Sequence, residues 1–284
     1  MRGSGRPIRF EYYGGHLIAV PVELSSGLRS RFILDTGAGL PVISPALAER
    51  AGVRATGQRQ TGRRMSGQEL SLPIVILPTL TLGRETFAEV AAGLFDLDRF
   101  LPAAAGIGGM LGLPLFESTP FVIDHAARRL RLGERLPPTA PRAPLALRRE
   151  GLSLDAFVDL ELPDGSVARV ELDTGSDSLI LHHRYQEALG ISPQDPRVHL
   201  VEGIDETGHA YVRYHAHLAA PVRIRGAPQV ERSDLEVIFS DIIYDGLLGH
   251  SFLRPFAVGV DLPSSEIAFG PGRARDRSAR TSAS

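Results

Sequence analysis

The string Asp-Thr-Gly occurs twice in this chain, at Asp35-Thr36-Gly37 and at Asp173-Thr174-Gly175. Each copy follows an apolar run, Phe32-Ile33-Leu34 or Val170-Glu171-Leu172. Each precedes another, Leu40-Pro41-Val42-Ile43 or Ser178-Leu179-Ile180-Leu181. A carboxylate on a tight turn between two buried strands does little for stability, and two of them in similar surroundings predict a pair that meets. Carboxylates sharing one site cannot both ionise easily, so they hold one proton between them and titrate as a unit. In that state one Asp can take a proton from a bound water while the other gives one to a carbonyl oxygen. Gly37 and Gly175 let the turn tighten and its N–H groups approach the carboxylates. The Thr36 and Thr174 hydroxyls can tie the two turns together through hydrogen bonds to backbone.

The elements around these turns repeat as well. Leu17-Ile18-Ala19-Val20-Pro21-Val22-Glu23-Leu24 aligns with Asp155-Ala156-Phe157-Val158-Asp159-Leu160-Glu161-Leu162 at an offset of 138 residues, which also pairs Gly27 with Gly165 and Gly52 with Gly190. Each copy reads as strand, turn, strand. Pro163-Asp164-Gly165 is the stronger hairpin signal, and the alternation of Val20, Val22, Leu24 and of Val158, Leu160, Leu162 sets an inward face. Short helical segments are expected over 45–51 and 183–189, each stopped by a glycine. Polar glycine-bearing hairpins follow, around Ser66-Gly67-Gln68 and around Gly208-His209, and then apolar strands over 72–82 and 218–224. The ends of the copies match at an offset of 137: Met110-Leu111-Gly112 with Leu247-Leu248-Gly249, and Ile123-Asp124 with Val260-Asp261. Asp124 and Asp261 read as turn residues rather than catalysts.

Leu34-Asp35-Thr36-Gly37-Ala38 and Leu172-Asp173-Thr174-Gly175-Ser176, each with its downstream hydrophobic-hydrophobic-Gly motif, resemble the pepsin/retropepsin clan of aspartic proteases. The run Asp245-Gly246-Leu247-Leu248-Gly249-His250-Ser251-Phe252-Leu253 with Val258-Gly259-Val260-Asp261 is similar to the bacterial retropepsin-like branch, and the resemblance spans about residues 8–270. It implies an all-β, bilobal acid-protease fold, with two similar β-barrel-like lobes related by a pseudo-two-fold and the active cleft between them. It implies an aspartic endopeptidase in which Asp35 and Asp173, one from each lobe, activate a water. Thr36, Gly37, Ala38, Thr174, Gly175 and Ser176 would support the active-site turns, and Leu111, Gly112, Leu248 and Gly249 would form the psi-shaped crossings. Ser66, Gly67, Gln68, Gly208 and His209 would lie on flaps closing over an extended polypeptide substrate in the inter-lobe cleft. A catalytically silent peptide-binding protein of the same fold is the alternative. The sequence departs from the clan in having no Tyr near Gly67, so closure over substrate must differ. Ala38 follows the first triplet as in retropepsins and Ser176 the second as in pepsins, so a Ser176 hydroxyl bonded to Asp173 would make the two carboxylates unequal. No cofactor is implied. Both lobes lie in one chain, so a monomer is expected, with a homodimer as the alternative.

Composition agrees with a globular protein of this kind. At 284 residues the chain accommodates two modest domains, and 43% hydrophobic with 23% charged residues is ordinary. A net charge of −2 gives no nucleic-acid footprint, the absence of Cys excludes thiolate metal sites and a Cys nucleophile, and no stretch is long and apolar enough for a membrane-spanning helix. His215 and His217 would share one strand face, but ordinary histidines fit better than a metal site, and no metal is expected. The Arg128-Arg129 and Arg148-Arg149 pairs read as solvated faces. Four prolines within 134–150 mark an extended linker between lobes spanning 6–133 and 151–270, and the polar segment 271–284 reads as a disordered tail. Ala103-Ala104-Ala105-Gly106-Ile107-Gly108-Gly109 reads as a mobile insertion in the first copy. The N-terminus carries no apolar run of signal-peptide type. Localisation therefore stays open: periplasmic or secreted if a leader was removed, otherwise cytoplasmic.

Overall fold

In the computed structural model the described residues are 6–97, 101, 106–192, 194–204 and 209–272. Strand accounts for 54% and helix for 8%, so the molecule is all-β, and its strands form the expected bilobal arrangement. Three sheets organise it. The first has eight strands in the order Glu11–Tyr13, Leu17–Leu24, Arg29–Leu34, Ile107–Leu111, Val42–Ile43, Glu85–Leu94, Glu69–Leu82, Ala55–Arg63. The second has ten. Its main path runs His199–Ile204, Ala210–His217, Glu236–Ser240, Leu179–His182, Gly246–Leu248, Val167–Leu172, Ser153–Glu161, Val222–Ile224, Ala227–Arg232, with Ala146–Glu150 also pairing with Ser153–Glu161.

The alternation of valines and leucines does set the buried face. Val20, Val22 and Leu24, like Val158, Leu160 and Leu162, are at most 4% exposed. The tight turns hold where glycine takes a positive φ, as at Gly165 (+85°), beside an Asp164 carboxylate that accepts the Ser166 N–H. The helix Pro45–Arg50 starts as its sequence dictates, with the Ser44 hydroxyl accepting the Leu47 N–H and Pro45 in the first turn. Its counterpart has neither signal and forms two short 3-10 turns, His183–Tyr185 and Glu187–Leu189. The run 218–224 is not one strand: only Val222–Ile224 pairs, beyond Pro221, which lacks a backbone donor.

The third sheet joins the two halves. Its order is Ile8–Arg9, Arg129–Leu132, Phe121–Asp124, Phe256–Asp261, Glu266–Pro271, Arg142–Pro144. At its centre Phe121–Asp124 runs antiparallel to Phe256–Asp261, with Phe121 opposite Val260 and Ile123 opposite Val258. The two strands that repeat at an offset of 137 are therefore each other's partners. The segment 134–150 is extended and also paired: Arg142–Pro144 is an edge strand, where a missing Pro N–H costs no ladder bond, and Ala146–Glu150 joins the ten-stranded sheet. Asp124 accepts the Ala127 N–H at a turn and Asp261 is bound by Arg135, both in structural roles. Residues 273–284 of the tail and 103–105 of the expected mobile insertion lie outside the described residues, and the insertion's later residues enter the strand Ile107–Leu111.

Phe121 is fully buried at this junction, its ring 4.7 Å from that of Phe116. Phe121→Ala should cost about 3–5 kcal/mol of unfolding free energy, read from urea denaturation.

Candidate active site

Each Asp-Thr-Gly turn leaves its strand at a parallel crossing. Arg29–Leu34 runs parallel to Ile107–Leu111 with Leu34 opposite Leu111, and the Asp35 N–H donates to the Leu111 carbonyl at 3.1 Å. Val167–Leu172 runs parallel to Gly246–Leu248 with Leu172 opposite Leu248, and the Asp173 N–H donates to the Leu248 carbonyl at 3.2 Å. The next residue of each crossing strand must be glycine for reasons of space. A β-carbon on Gly112 would run into the Ala38 carbonyl, and one on Gly249 into the carbonyls of Ser176 and Ser178. The psi-motif residues thus clamp the two turns from below.

The turns grip one another. The Thr36 N–H donates to Thr174 Oγ1 and the Thr174 N–H to Thr36 Oγ1, both at 3.0 Å. The Thr36 hydroxyl donates to the Leu172 carbonyl (2.7 Å) and the Thr174 hydroxyl to the Leu34 carbonyl (2.9 Å). Both threonines are buried, so each hydroxyl satisfies two backbone groups of the opposite half that have no water to turn to.

This grip brings the two carboxyl groups together. Asp35 Oδ1 accepts the N–H groups of Gly37 (3.0 Å) and Ala38 (3.2 Å), and Asp173 Oδ1 those of Gly175 (2.8 Å) and Ser176 (3.1 Å). The two carboxyls lie close enough for each to bear on the other's affinity for a proton. A β-carbon on Gly37 would lie 2.6 Å from the Asp173 carboxyl carbon, and one on Gly175 2.7 Å from that of Asp35. Neither glycine has a positive φ. Their necessity comes from the approach of the opposite carboxyl rather than from turn strain. Burial pushes both carboxyls above the ordinary aspartate range, against the pull of the backbone donors. For Asp173 the negative charge of Asp35 is the next cause. A pair so placed holds a proton at neutral pH and can serve as acid and base together. The Ser176 hydroxyl donates to the Ser178 carbonyl (3.0 Å), not to Asp173, so the expected asymmetry does not come from that group.

The two halves do differ at Glu171, two residues before Asp173, which is 4% exposed. At the corresponding place in the first half stands Ile33, packed in a small apolar cluster with Ala19 and Leu101. Glu171 lies opposite Phe157 and Leu247 in the sheet. Burial first, then the charges of Asp173, Asp155 and Asp35, raise its carboxyl well above the ordinary glutamate value, with Arg148 opposing. Arg148, read as part of a solvated face, instead donates to Asp155 (3.2 Å) and to the Tyr244 hydroxyl, and its guanidinium lies over the Tyr244 ring. The sequence carried a signal here, a Glu set between Val170 and Leu172 at the apolar end of its strand.

A cavity of about 490 Å³ opens beside Asp173. Met65 and Ser66 border it from the first hairpin, and Ile180, Ile238, Ile242 and Leu247 form an apolar floor in the second half. The Met65 carbonyl accepts the Ile243 N–H at 2.9 Å, which fastens the hairpin tip to the second half. Gly67, at φ +84°, rests against Ile243, and the Ser66 hydroxyl donates to the Gln68 side chain at 3.4 Å. Gln68 is not part of the cavity wall, His209 is, and Gly208 lies outside the described residues. Met65 and the segment around Ile243 carry no motif and were not singled out from the sequence. His215, considered as a ligand, meets Glu236 at 3.0 Å.

On the other side of the turns, the His250 N–H donates to the Ser176 carbonyl at 2.8 Å. Its ring lies 5.3 Å from that of His125, whose Nδ1 meets the Tyr12 hydroxyl at 2.9 Å. Burial, with His250 as a second cause, pushes His125 down to about 3.

The fold is all-β and bilobal, with one Asp-Thr-Gly turn from each half paired at its centre. Residues 20–115 match a family model described as aspartyl protease. The match supports a protease-like function acting on a peptide substrate. A search among curated proteins found no match. No helix among the described residues is long and apolar enough to cross a membrane.

Thr36→Val should strand the Thr174 N–H and the Leu172 carbonyl, costing roughly 2–4 kcal/mol in urea unfolding, whereas Thr36→Ser should cost much less. The folded chain keeps a proton on Glu171 that the unfolded chain releases above about 4.5. Stability from this group is therefore full at lower pH and falls as pH rises. Glu171→Gln should flatten that decline as pH rises above about 4.5, and parallel stability curves for the two proteins would contradict the sign. His125 acts oppositely, its contribution full above 6.5 and lost as pH falls toward 3.

Proposed function

We propose that the protein is an aspartic endopeptidase whose two lobes, about 6–133 and 151–270, form an intramolecular counterpart of a retropepsin dimer. The observation that carries this reading is the reciprocal pairing of two Asp-Thr-Gly turns, which seats each carboxyl against the opposite turn's glycine, with both carboxyls raised by burial. Asp35 and Asp173 share one proton around a nucleophilic water. The ionised carboxyl removes a proton from the water as it attacks the peptide carbonyl, and the protonated one donates to the carbonyl oxygen. The tetrahedral diol then collapses with proton transfer to the leaving amine, and no covalent enzyme intermediate forms. The N–H groups of Gly37, Ala38, Gly175 and Ser176 hold the carboxyls in one plane of approach, so little reorganisation is needed at the moment of attack. An extended peptide would lie across the turns with the first hairpin over it, adding strand-like hydrogen bonds. Entry requires release of the bond between Met65 and Ile243.

Because both carboxyls sit above the ordinary range, the active window should reach toward neutral pH and close on the alkaline side as the shared proton is lost. The test is cleavage of an unfolded protein from about pH 3 to about pH 8, with and without a statine-type transition-state analogue. Asp35→Asn and Asp173→Asn should each reduce cleavage by roughly 10²-fold or more while leaving the fold intact. Undiminished cleavage in either variant refutes the shared pair, and a folded wild-type chain inert at every pH favours a silent peptide binder.

A further inference from the structure

The cavity beside Asp173 has an apolar floor but not an apolar wall. Arg213, on the strand Ala210–His217, lines it opposite Ser240. Its guanidinium carbon sits 4.1 Å above the ring of Tyr211, in cation–π contact. The Tyr211 ring in turn lies over Gly203, where a β-carbon would come within 2.6 Å of its hydroxyl oxygen. The missing side chain at Gly203 lets the ring lie flat, and the flat ring carries the guanidinium over the cavity. Arg213 Nε is buried and has no hydrogen-bond partner among the described residues. Leaving such a donor unpaired is costly, and a planar guanidinium is suited to receive a carboxylate in two parallel hydrogen bonds.

Besides Asp173, two carboxylates border the same cavity, and both are turned away from this role. The Asp241 side chain is 90% exposed and lies 3.9 Å from His183, and that of Asp177 is 69% exposed and lies 3.9 Å from His16. Arg64 brings a second positive charge to the wall from the first hairpin.

We infer that Arg213 is a specificity-determining residue that selects peptides carrying an Asp or Glu side chain beside the scissile bond. The inference rests on the endopeptidase reading for the position of that bond. A substrate side chain reaching past Asp173 would lay its methylenes on the floor formed by Ile180, Ile238 and Leu247 and end at the guanidinium. The contact is charge-assisted and shielded from bulk water, so it outweighs the weak repulsion from the two exposed carboxylates.

The test does not depend on hydrolysis. The full chain carrying Asp35→Asn is immobilised and challenged with a random peptide pool with amidated C-termini, so that side chains supply every peptide carboxylate. Retained peptides are sequenced. Asp and Glu should be enriched at one fixed position, with Glu peptides bound roughly tenfold more tightly than their Gln counterparts. Adding Arg213→Gln should bring that ratio to about one, Arg213→Lys should keep part of it, and Arg213→Glu should turn the preference toward Lys and Arg. An empty capture, a pool without acidic enrichment, or an enrichment unmoved by Arg213→Gln overturns the inference. Cleavage by the unaltered chain is scored separately. Capture with acidic selection but no cleavage would fault the endopeptidase reading alone, and cleavage without acidic selection would fault the role of Arg213 alone.

Discussion

The crossed hydrogen bonds of Thr36 and Thr174 are the constraint on which the rest of the structure depends. Each hydroxyl accepts an N–H from the opposite turn and donates to the carbonyl that ends the opposite strand. Four backbone groups are thus satisfied in a buried place only while both halves are present and in register. The same bonds set how closely the two carboxyls approach, so assembly of the halves and geometry of the site are one event. The glycines of the turns and of the psi motifs follow from it, since each stands where a β-carbon would collide with the opposing carboxyl or with a turn carbonyl. The central pairing of Phe121–Asp124 with Phe256–Asp261 holds the halves at the other end of the molecule and relieves the threonines of carrying the junction alone.

The halves share a backbone plan but not a chemistry. Around Ile33 the first half is apolar, whereas in the second half Glu171 and Asp155 are buried, and a half-exposed Arg148 bonds Asp155 and Tyr244. Burying Glu171 near the two aspartates adds a third carboxyl that resists ionisation, and the nearby charges raise one another through a medium that screens them poorly. His125 and His250, packed behind the Asp173 turn, resist protonation for the same reason. Stability is thereby drawn down at both ends of the pH scale, the acid end by the histidines and the alkaline end by the carboxyls.

The cavity expresses that inequality as well. Its floor and most of its wall belong to the second half, and the first half contributes the hairpin tip with Met65 lying over the apolar floor. Where the clan's pepsins carry a flap tyrosine, this hairpin presents a flexible thioether and a backbone carbonyl fastened to Ile243. Both of these contacts could be exchanged for contacts with a bound peptide.

Much of this was legible from residue types and spacing. Two identical triplets between apolar runs, each with a later Leu-Gly step, specified two like turns. The period-two alternation specified the buried faces, and the glycine and proline positions specified the hairpins and the first helix. These are local signals, carried by backbone preference and by the two-residue period of a strand. The sequence did not disclose that 134–150 would be stitched into two sheets, that the Ser176 hydroxyl would turn to Ser178, that Glu171 would be buried beside the aspartates, or that Arg213 would lie on Tyr211 over a glycine. Each of those depends on which strands become neighbours, a choice made by long-range pairing and by the volume left between packed side chains. The chain by itself determined the turns and the groups they carry. Only the tertiary structure decided which of them touch, which lose their water, and hence which change their affinity for a proton.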